Sequence, residues 1–191
     1  MASFSSLLSD VYTITNRPDL VAETKLAVKQ ATLKMHQSDY YPKDLFETGI
    51  AWNPVAFLQS LSYKTLIPRW RTFKYLRKYS DGVPGDFFTL LSPEESLDRY
   101  AVNKDNICYV AGDTLEIRSS TQDANMLIGC YLHPDITEEN YTSWIADEHP
   151  YAIVFDAAAT VFKMIGYDEQ AAYMKQSVTE QIALLRQNQI I

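Results

Sequence analysis

The sequence predicts an α+β fold in which a mainly helical bundle carries an antiparallel β meander or hairpin insertion. Apolar residues recur every three or four positions near both ends of the chain, whereas short β-prone segments separated by turns occupy the middle. No internal repeat divides the 191 residues. We therefore expect a single domain with N-terminal helices over 17–66, a β-rich part over 67–134, a C-terminal helical hairpin over 141–186 and a flexible tail over 187–191.

The first predicted helix begins near Asn16, a preferred N-cap residue that is followed by Pro18 in the first turn. One apolar stripe follows, formed by Leu20, Thr24, Ala27, Val28, Ala31 and Met35. His36 falls at the end of this helix, where a cation would be favourable. After the break at Pro42, the sequence predicts a further turn of helix over 43–48 and another helix within 51–66.

The middle of the chain has the pattern of strands. The run 69–77 combines aromatic residues and threonine with interleaved charges, which is typical of an exposed or edge strand. Residues 81–86 contain two glycines and a proline and are predicted to form a loop. Three short segments at hairpin spacing, 107–110, 114–118 and 126–132, are predicted to pair in order as an antiparallel meander.

The C-terminal third is predicted to be a pair of helices. A broad apolar face runs from Ile153 to Ile165, and Gly166 suits the left-handed conformation that often ends a helix. Asp168 is placed to cap the second helix, whose apolar positions are Ala171, Met174, Val178, Ile182 and Leu185. Because the connection is short, the two helices are expected to pack as an antiparallel hairpin.

Composition excludes one class of protein and places the chain in a reducing compartment. With 17 basic against 24 acidic side chains, the net charge is −7, which argues against a strongly basic nucleic-acid binder. Cys108 and Cys130 are too few for a disulfide framework, and as isolated residues in predicted strands they are expected to be packed rather than reactive. We find no signal-peptide pattern and no apolar run of membrane-spanning length, so we expect a soluble protein made in the cytoplasm.

Motifs of enzyme chemistry are sparse. The six glycines form neither a nucleophile elbow, a P-loop nor a dinucleotide-binding turn. Metal-ligand residue types concentrate in His133-Pro134-Asp135 and Asp147-Glu148-His149, but their spacing favours structural roles. We therefore expect no catalytic residue, no metal and no cofactor. A small hydrolase is an alternative that would require the two histidines to share a pocket with carboxylates.

The basic strand allows three interpretations. Arg69, Arg71, Lys74, Arg77 and Lys78 alternate with aromatic residues, a pattern that can bind nucleic acid. The acidic remainder of the chain argues against that function. The strand could instead contact the acidic surface of a neighbouring subunit, or it could be a solvated strand.

Six features in a particular order resemble those of head-to-tail adaptor proteins of tailed bacteriophages. They are the long N-terminal helix that ends at His36, Pro68 to Arg71, Ala111-Gly112-Asp113, Gly129 to Pro134, Ser143 to Ala146, and the helical hairpin that starts at Pro150. The resemblance runs from Arg17 to the end of the chain. It rests on order and spacing, because no single motif carries chemistry.

The resemblance implies a structural protein of the virion neck. Such proteins assemble in the host cytoplasm as a homo-oligomeric ring, commonly of twelve copies, between the portal protein and the tail or nozzle protein. DNA is ejected through the ring without specific binding, and no membrane or enzymatic step is involved. The strands from Ile107 to Leu132 would then contact a neighbouring subunit or the tail. The other phage protein to consider is a tail-completion or terminator ring, which would bind the tail tube.

Two sets of contact residues follow from this interpretation. The end of the last helix and the residues after it would dock into the portal, through Leu185, Arg186, Gln187, Ile190 and Ile191. The basic strand and one tryptophan of the C-terminal region would form the subunit interface, through Arg69, Trp70, Arg71, Arg77 and Trp144. In a ring of identical subunits, a basic face of one copy would meet an acidic face of the next.

Overall fold

A computed structural model describes residues 3–51, 57–80, 82–96, 104–120 and 125–187. About 47% of them are helical and 29% lie in strands. The strand share is too large for a mainly helical bundle with a β insertion, so that prediction is wrong, and the fold is α+β with two four-stranded sheets among the described residues. Several strands were missed because they are short and exposed, and such segments lack the strict alternation that identifies a half-buried strand.

The described elements follow one another in a simple order. The helices are α1 (Phe4–Thr15), α2 (Val21–Gln37), α3 (Tyr63–Leu66), α4 (Trp144–Glu148), α5 (Pro150–Met164) and α6 (Asp168–Gln187). The strands are β1 (Leu45–Ile50), β2 (Leu58–Ser62), β3 (Trp70–Ser80), β4 (Val83–Phe87), β5 (Thr89–Leu90), β6 (Ile107–Ala111), β7 (Thr114–Arg118) and β8 (Asn125–Leu132). Short 3₁₀ turns occupy Pro42–Asp44 and Pro93–Ser96.

The chain divides into two compact units. The helical unit combines residues 1–44 with residues 133–191, and the β unit is the continuous stretch 45–132. Each unit has a hydrophobic core of its own. Among the described helices, none is long and apolar enough to cross a membrane.

The N-terminal helix of the helical unit was not predicted. Ser3 caps α1 by accepting a hydrogen bond from the Ser6 amide at 3.1 Å. Asn16, the predicted N-cap of the next helix, instead ends α1 in the left-handed conformation with φ 50°, and its amide binds the Tyr12 carbonyl. Asparagine is common in both positions because its short side chain tolerates left-handed backbone and can also accept a helix amide. The N-cap position of α2 is Leu20.

The C-terminal helical hairpin is confirmed. Gly166 has φ 80°, its amide binds the Lys163 carbonyl, and the Tyr167 amide binds the Phe162 carbonyl at 2.9 Å. This is the double hydrogen bond that ends many helices with a left-handed residue, and it returns the chain so that α6 packs on α5. Helix α5 also contacts α1 and α2, so it lies at the centre of the helical unit.

The β unit is built from two sheets that share one core. The strand orders are β1-β8-β3-β4 and β2-β7-β6-β5, and β5–β6 is the one parallel pairing among these strands. The first sheet contributes Ile50, Leu76, Ile128 and Cys130 to the core, and the second contributes Cys108, Leu115 and Ile117. Apolar side chains from both sheets therefore meet in one interior, as in other sheet packings.

The predicted meander is wrong in one of its two pairings. Strands β6 and β7 form the expected antiparallel hairpin. Strand β8, however, pairs with β1 and β3 in the other sheet. Its residues from Met126 to Tyr131 are mostly buried, which is typical of a strand with neighbours on both sides and core on at least one face.

Other predictions along the chain are also corrected. Strand β3 is not an edge strand, because it pairs with β8 on one side and β4 on the other. The predicted loop 81–86 overlaps β4, which tolerates Pro84 because β4 lies at the sheet edge. The predicted helical turn over 43–48 is mostly strand β1, and the described part of the predicted helix 51–66 is β2 followed by the single turn α3, with 52–56 outside the described residues.

Candidate functional site

Three buried side chains of the helical unit form a continuous hydrogen-bond relay. The Nδ1 atom of His36 lies 2.8 Å from Oδ1 of Asp44, and its Nε2 atom lies 2.9 Å from the Ser143 hydroxyl. A carboxylate only accepts, so Nδ1 donates to Asp44, while Nε2 shares a hydrogen bond with the Ser143 hydroxyl. The Trp144 indole also donates to Oδ1 of Asp44, at 2.8 Å.

Separate elements bring these side chains together. His36 lies in the last turn of α2, Asp44 ends the 3₁₀ turn that follows, and Ser143 is the N-cap of α4. His36 and Ser143 are 107 positions apart in the sequence. The rings of His36 and Tyr41 pack edge-on against Trp144, and the Lys43 ammonium lies over the Trp144 ring.

The order of atoms in this relay is that of a Ser–His–Asp catalytic triad, but its surroundings do not suit catalysis. Ser143 is 8% exposed and His36 only 2%. The Ser143 oxygen already accepts the Ala146 amide at 3.2 Å, as a helix cap. A nucleophile must reach a substrate carbonyl while a second set of donors holds the developing oxyanion. The relay therefore serves to fix α2, the 3₁₀ turn and α4 to one another.

The outer face of the first sheet in the β unit carries an aromatic and ionic cluster, here called the Tyr75 cluster: Glu47, Tyr75, Arg77, Phe87 and Gly129. Glu47, Gly129 and Tyr75 stand opposite one another across three strands. The Tyr75 hydroxyl donates to the Glu47 carboxylate, which also pairs with Arg77 at 3.3 Å. The Arg77 guanidinium lies over the rings of Tyr75 and Phe87, at 5.7 and 5.6 Å from their centres.

Gly129 is required by the packing of this cluster. A Cβ atom at this position would come within 2.5–2.8 Å of the Tyr75 ring, so glycine alone lets the ring lie flat on β8. Burial and the Glu47 hydrogen bond raise the pKa of Tyr75 to about 12, so the phenol stays protonated and donating to a more alkaline pH than an ordinary tyrosine. Phe87 is 59% exposed. Exposed aromatic side chains of this kind are enriched in protein interfaces.

The β unit also contains an apolar cavity of about 210 Å³ with one charged wall. Its lining residues are Phe46, Leu66, Ile67, Pro68, Arg69 and Leu132, and it is called the Arg69 cavity below. Phe46 is 41% exposed and Leu66 51% exposed at its rim. Large apolar side chains that remain this accessible often mark a contact site.

The outward side of α6 carries a stripe of alternating acidic and apolar residues. Helical spacing places Glu169, Tyr173, Glu180 and Leu184 on one side, opposite Ala171, Val178 and Leu185, which are buried against the helical unit. Tyr173 is 67% exposed and Leu184 46% exposed. We call these four exposed residues the α6 stripe.

The predicted subunit-interface residues are distributed over both units. Arg69 lines the cavity, Arg77 lies in the Tyr75 cluster, and Arg71 is half-buried in β3. Trp70 packs on Tyr63, with ring centres 4.4 Å apart, and so contributes to the β unit itself. Trp144 belongs to the helical unit, where it is engaged by the relay.

The predicted portal-docking residues differ in accessibility. Leu185 is fully buried in the core of the helical unit. Arg186 is exposed and bonds the Ser38 carbonyl at 3.0 Å and Asp39 at 3.4 Å, and Gln187 is exposed. Ile190 and Ile191 lie outside the described residues.

The two regions considered for metal binding contribute to local structure, and in the first of them Asp135 accepts a hydrogen bond from the Thr137 amide at 2.9 Å. His149 occupies the N-cap position of α5, and Glu148 pairs with Lys43 at 2.6 Å. Across the described residues, no group of three or more His, Cys, Asp or Glu side chains is arranged to hold a metal ion. Both cysteines are buried as predicted, and burial raises the pKa of Cys108 to about 12 and that of Cys130 to about 11.

No protein-family model matches the sequence, and no curated protein is significantly similar to it. The resemblance to head-to-tail adaptor proteins therefore rests on the order and spacing of the quoted motifs. The relay, the Tyr75 cluster, the cavity and the α6 stripe were not predicted. The spacing of Glu169, Tyr173, Glu180 and Leu184 was visible in the sequence, but nothing local connected His36 to Ser143 or Tyr75 to Gly129.

Proposed function

We propose that this chain is a virion structural protein of a tailed bacteriophage, a subunit of an adaptor ring between portal and tail through which DNA passes. The proposal takes the order of sequence motifs as its starting point. The fold supports it through the surfaces that the two units expose. A closed ring of identical subunits requires two different, complementary surfaces on every copy.

The observation that carries the proposal is the pair of surfaces on separate units. The α6 stripe of the helical unit is acidic and apolar, and the Arg69 cavity of the β unit is basic and apolar. Opposite charge beside apolar surface favours specific association, because the apolar contact contributes free energy and the charges select the partner.

The distribution of charge supports the role as a DNA conduit. The helical unit has 14 acidic and 8 basic side chains, a net charge of −6, whereas the β unit has 10 acidic and 9 basic ones, a net charge of −1. A predominantly acidic wall repels phosphates and so would let DNA pass without being held.

Co-sedimentation with DNA-filled heads tests the proposal directly. The heads carry the portal but lack the adaptor, and the full chain is compared with a version that ends at Leu185. This truncation keeps the buried leucine and removes Arg186, Gln187, Ile190 and Ile191. We expect saturable binding by the full chain and at least about tenfold weaker binding by the truncated one.

A substitution variant guards against an effect of shortening alone. Ile190→Ser with Ile191→Ser keeps the length and removes two apolar side chains, so it should bind as weakly as the truncated chain. Binding of the full chain to isolated tail tubes and not to heads would overturn the adaptor proposal and favour a tail-completion or terminator ring. Binding to neither would leave an enzyme as the interpretation to pursue.

A further inference from the structure

The Arg69 cavity has the chemistry of a receptor for one apolar side chain with a neighbouring carboxylate. Its volume of about 210 Å³ is on the scale of a single large aliphatic or aromatic side chain. Five of its six lining residues are apolar, so a polar group pushed inside would lose hydrogen bonds with water. The sixth, Arg69, carries a guanidinium group, whose positive charge favours a carboxylate beside the entering group.

The α6 stripe presents that combination twice. Glu180 precedes Leu184 by four residues, and Glu169 precedes Tyr173 by four, so each carboxylate lies one helical turn from an exposed apolar side chain. Leucine fits an apolar wall without a polar atom to satisfy, whereas the phenol of Tyr173 would need a hydrogen-bond partner. Leu184 with Glu180 is therefore the better match to the cavity.

We propose that Leu184 of one subunit inserts into the Arg69 cavity of a second copy of this chain, with Glu180 facing Arg69. The contact is heterologous, since each copy contributes a different surface to each of its two neighbours, and such contacts form a ring when the rotation between copies closes. An amphipathic helix whose apolar side chains enter a groove is a common mode of protein recognition. This inference rests on the ring-forming function proposed above and assigns the surfaces that join the subunits.

Engineered thiols test the contact on assembled heads. The native thiols Cys108 and Cys130 are buried and will react little. In a Leu66→Cys/Leu184→Cys double variant, a short bis-maleimide should link neighbouring subunits into a ladder of covalent oligomers. A Leu66→Cys/Leu26→Cys variant is the control, because Leu26 is 50% exposed on α2 of the same helical unit. Monomers alone, or an equal ladder in the control, would overturn the inference.

Charge exchange provides a second test that does not depend on cross-linking. Arg69→Glu and Glu180→Arg should each weaken assembly on heads by about tenfold, and the double variant should recover most of that loss. Arg69→Glu combined with Glu169→Arg is the matched control and should not recover. The contact would be contradicted if both double variants recovered assembly equally, or if neither recovered it. The unaltered chain is measured in the same assay. If it binds heads while the charge-exchange result fails, only this contact is wrong; if it does not bind heads, the adaptor function itself is wrong.

Discussion

The helical unit and the β unit differ in how their interiors are built. Among the described residues, the helical unit buries seven polar or charged side chains: Thr15, Thr24, Thr32, His36, Asp44, Ser143 and Asp156. In the β unit, Ser119 is the one buried polar side chain among the described residues. The rest of its interior is apolar and includes the thiols of Cys108 and Cys130. The helical unit is assembled from two sequence segments, so directed hydrogen bonds between them specify one arrangement. The continuous β unit obtains its specificity from strand register.

The two cores also differ in size. Nineteen buried apolar residues form the core of the helical unit and eleven that of the β unit, counted over the described residues. Because the hydrophobic contribution scales with the apolar area buried, we expect the β unit to open more readily. Since both cysteines lie in the β unit, the rate of thiol labelling reports its opening, and helical circular dichroism reports mainly the helical unit.

The largest expected effect comes from breaking the relay of the helical unit. Asp44→Ala leaves the buried donors of His36 and Trp144 without their acceptor, so it should lower the free energy of unfolding by about 3 kcal/mol. Urea unfolding, monitored by helical circular dichroism, measures this loss of stability. Asp19→Ala is the control in the same unit, because Asp19 forms an exposed ion pair with Arg17 and its loss should leave the free energy of unfolding nearly unchanged. Equal losses in the two variants would show that the relay has no special role.

A smaller effect is expected in the β unit from Gly129→Ala. The added Cβ would force the Tyr75 ring off β8, which should lower the free energy of unfolding by about 1–3 kcal/mol and speed labelling of Cys108 and Cys130 by about fivefold or more. Gly49→Ala is a matched control on the neighbouring strand, because a Cβ there meets nothing within 4 Å. In a Tyr75→Ser background the ring is absent, so Gly129→Ala should lower the free energy of unfolding by a smaller amount. An undiminished cost there would mean that the ring is not the obstacle.

The smallest expected effect is a dependence on alkaline pH within the Tyr75 cluster. The pKa of Tyr75 is raised from 10.0 to about 12 in the folded chain, so its contribution is complete below pH 10 and is lost as pH rises from 10 through 12. The raised pKa values of Cys108 and Cys130 act in the same direction. Tyr75→Phe keeps the ring and should therefore lose less stability over this range, as judged by urea midpoints. Parallel curves for the two proteins would contradict the assignment.

Helices with long one-sided periodicity were predictable from the sequence. The stripe from Leu20 to Met35 forms α2, and the positions from Ala171 to Leu185 form α6, with Gly166 at the turn before it. The hairpin of β6 and β7 was predicted from its short turn. These patterns are local, because helix and hairpin geometry bring residues a few positions apart into contact.

The short strands β1, β2 and β4 were not predictable in the same way. Each is five or six residues long, and all residues of β4 are exposed, so no burial pattern distinguishes it from a loop. Such strands are stabilised by hydrogen bonds to a neighbour that the sequence does not identify. Strand β3 was predicted to be an exposed or edge strand because the sequence does not identify β8 and β4 as its neighbours.

The sequence by itself determined the acidic charge, the helical segments and one hairpin, because composition and local periodicity depend only on residues close along the chain. The tertiary structure alone decided that β8 joins β1 and β3, that His36 meets Asp44 and Ser143, and that Tyr75 lies on Gly129. Those contacts join positions far apart in the sequence. Their free energy depends on which surfaces are buried together, and that is settled only when the whole chain has folded.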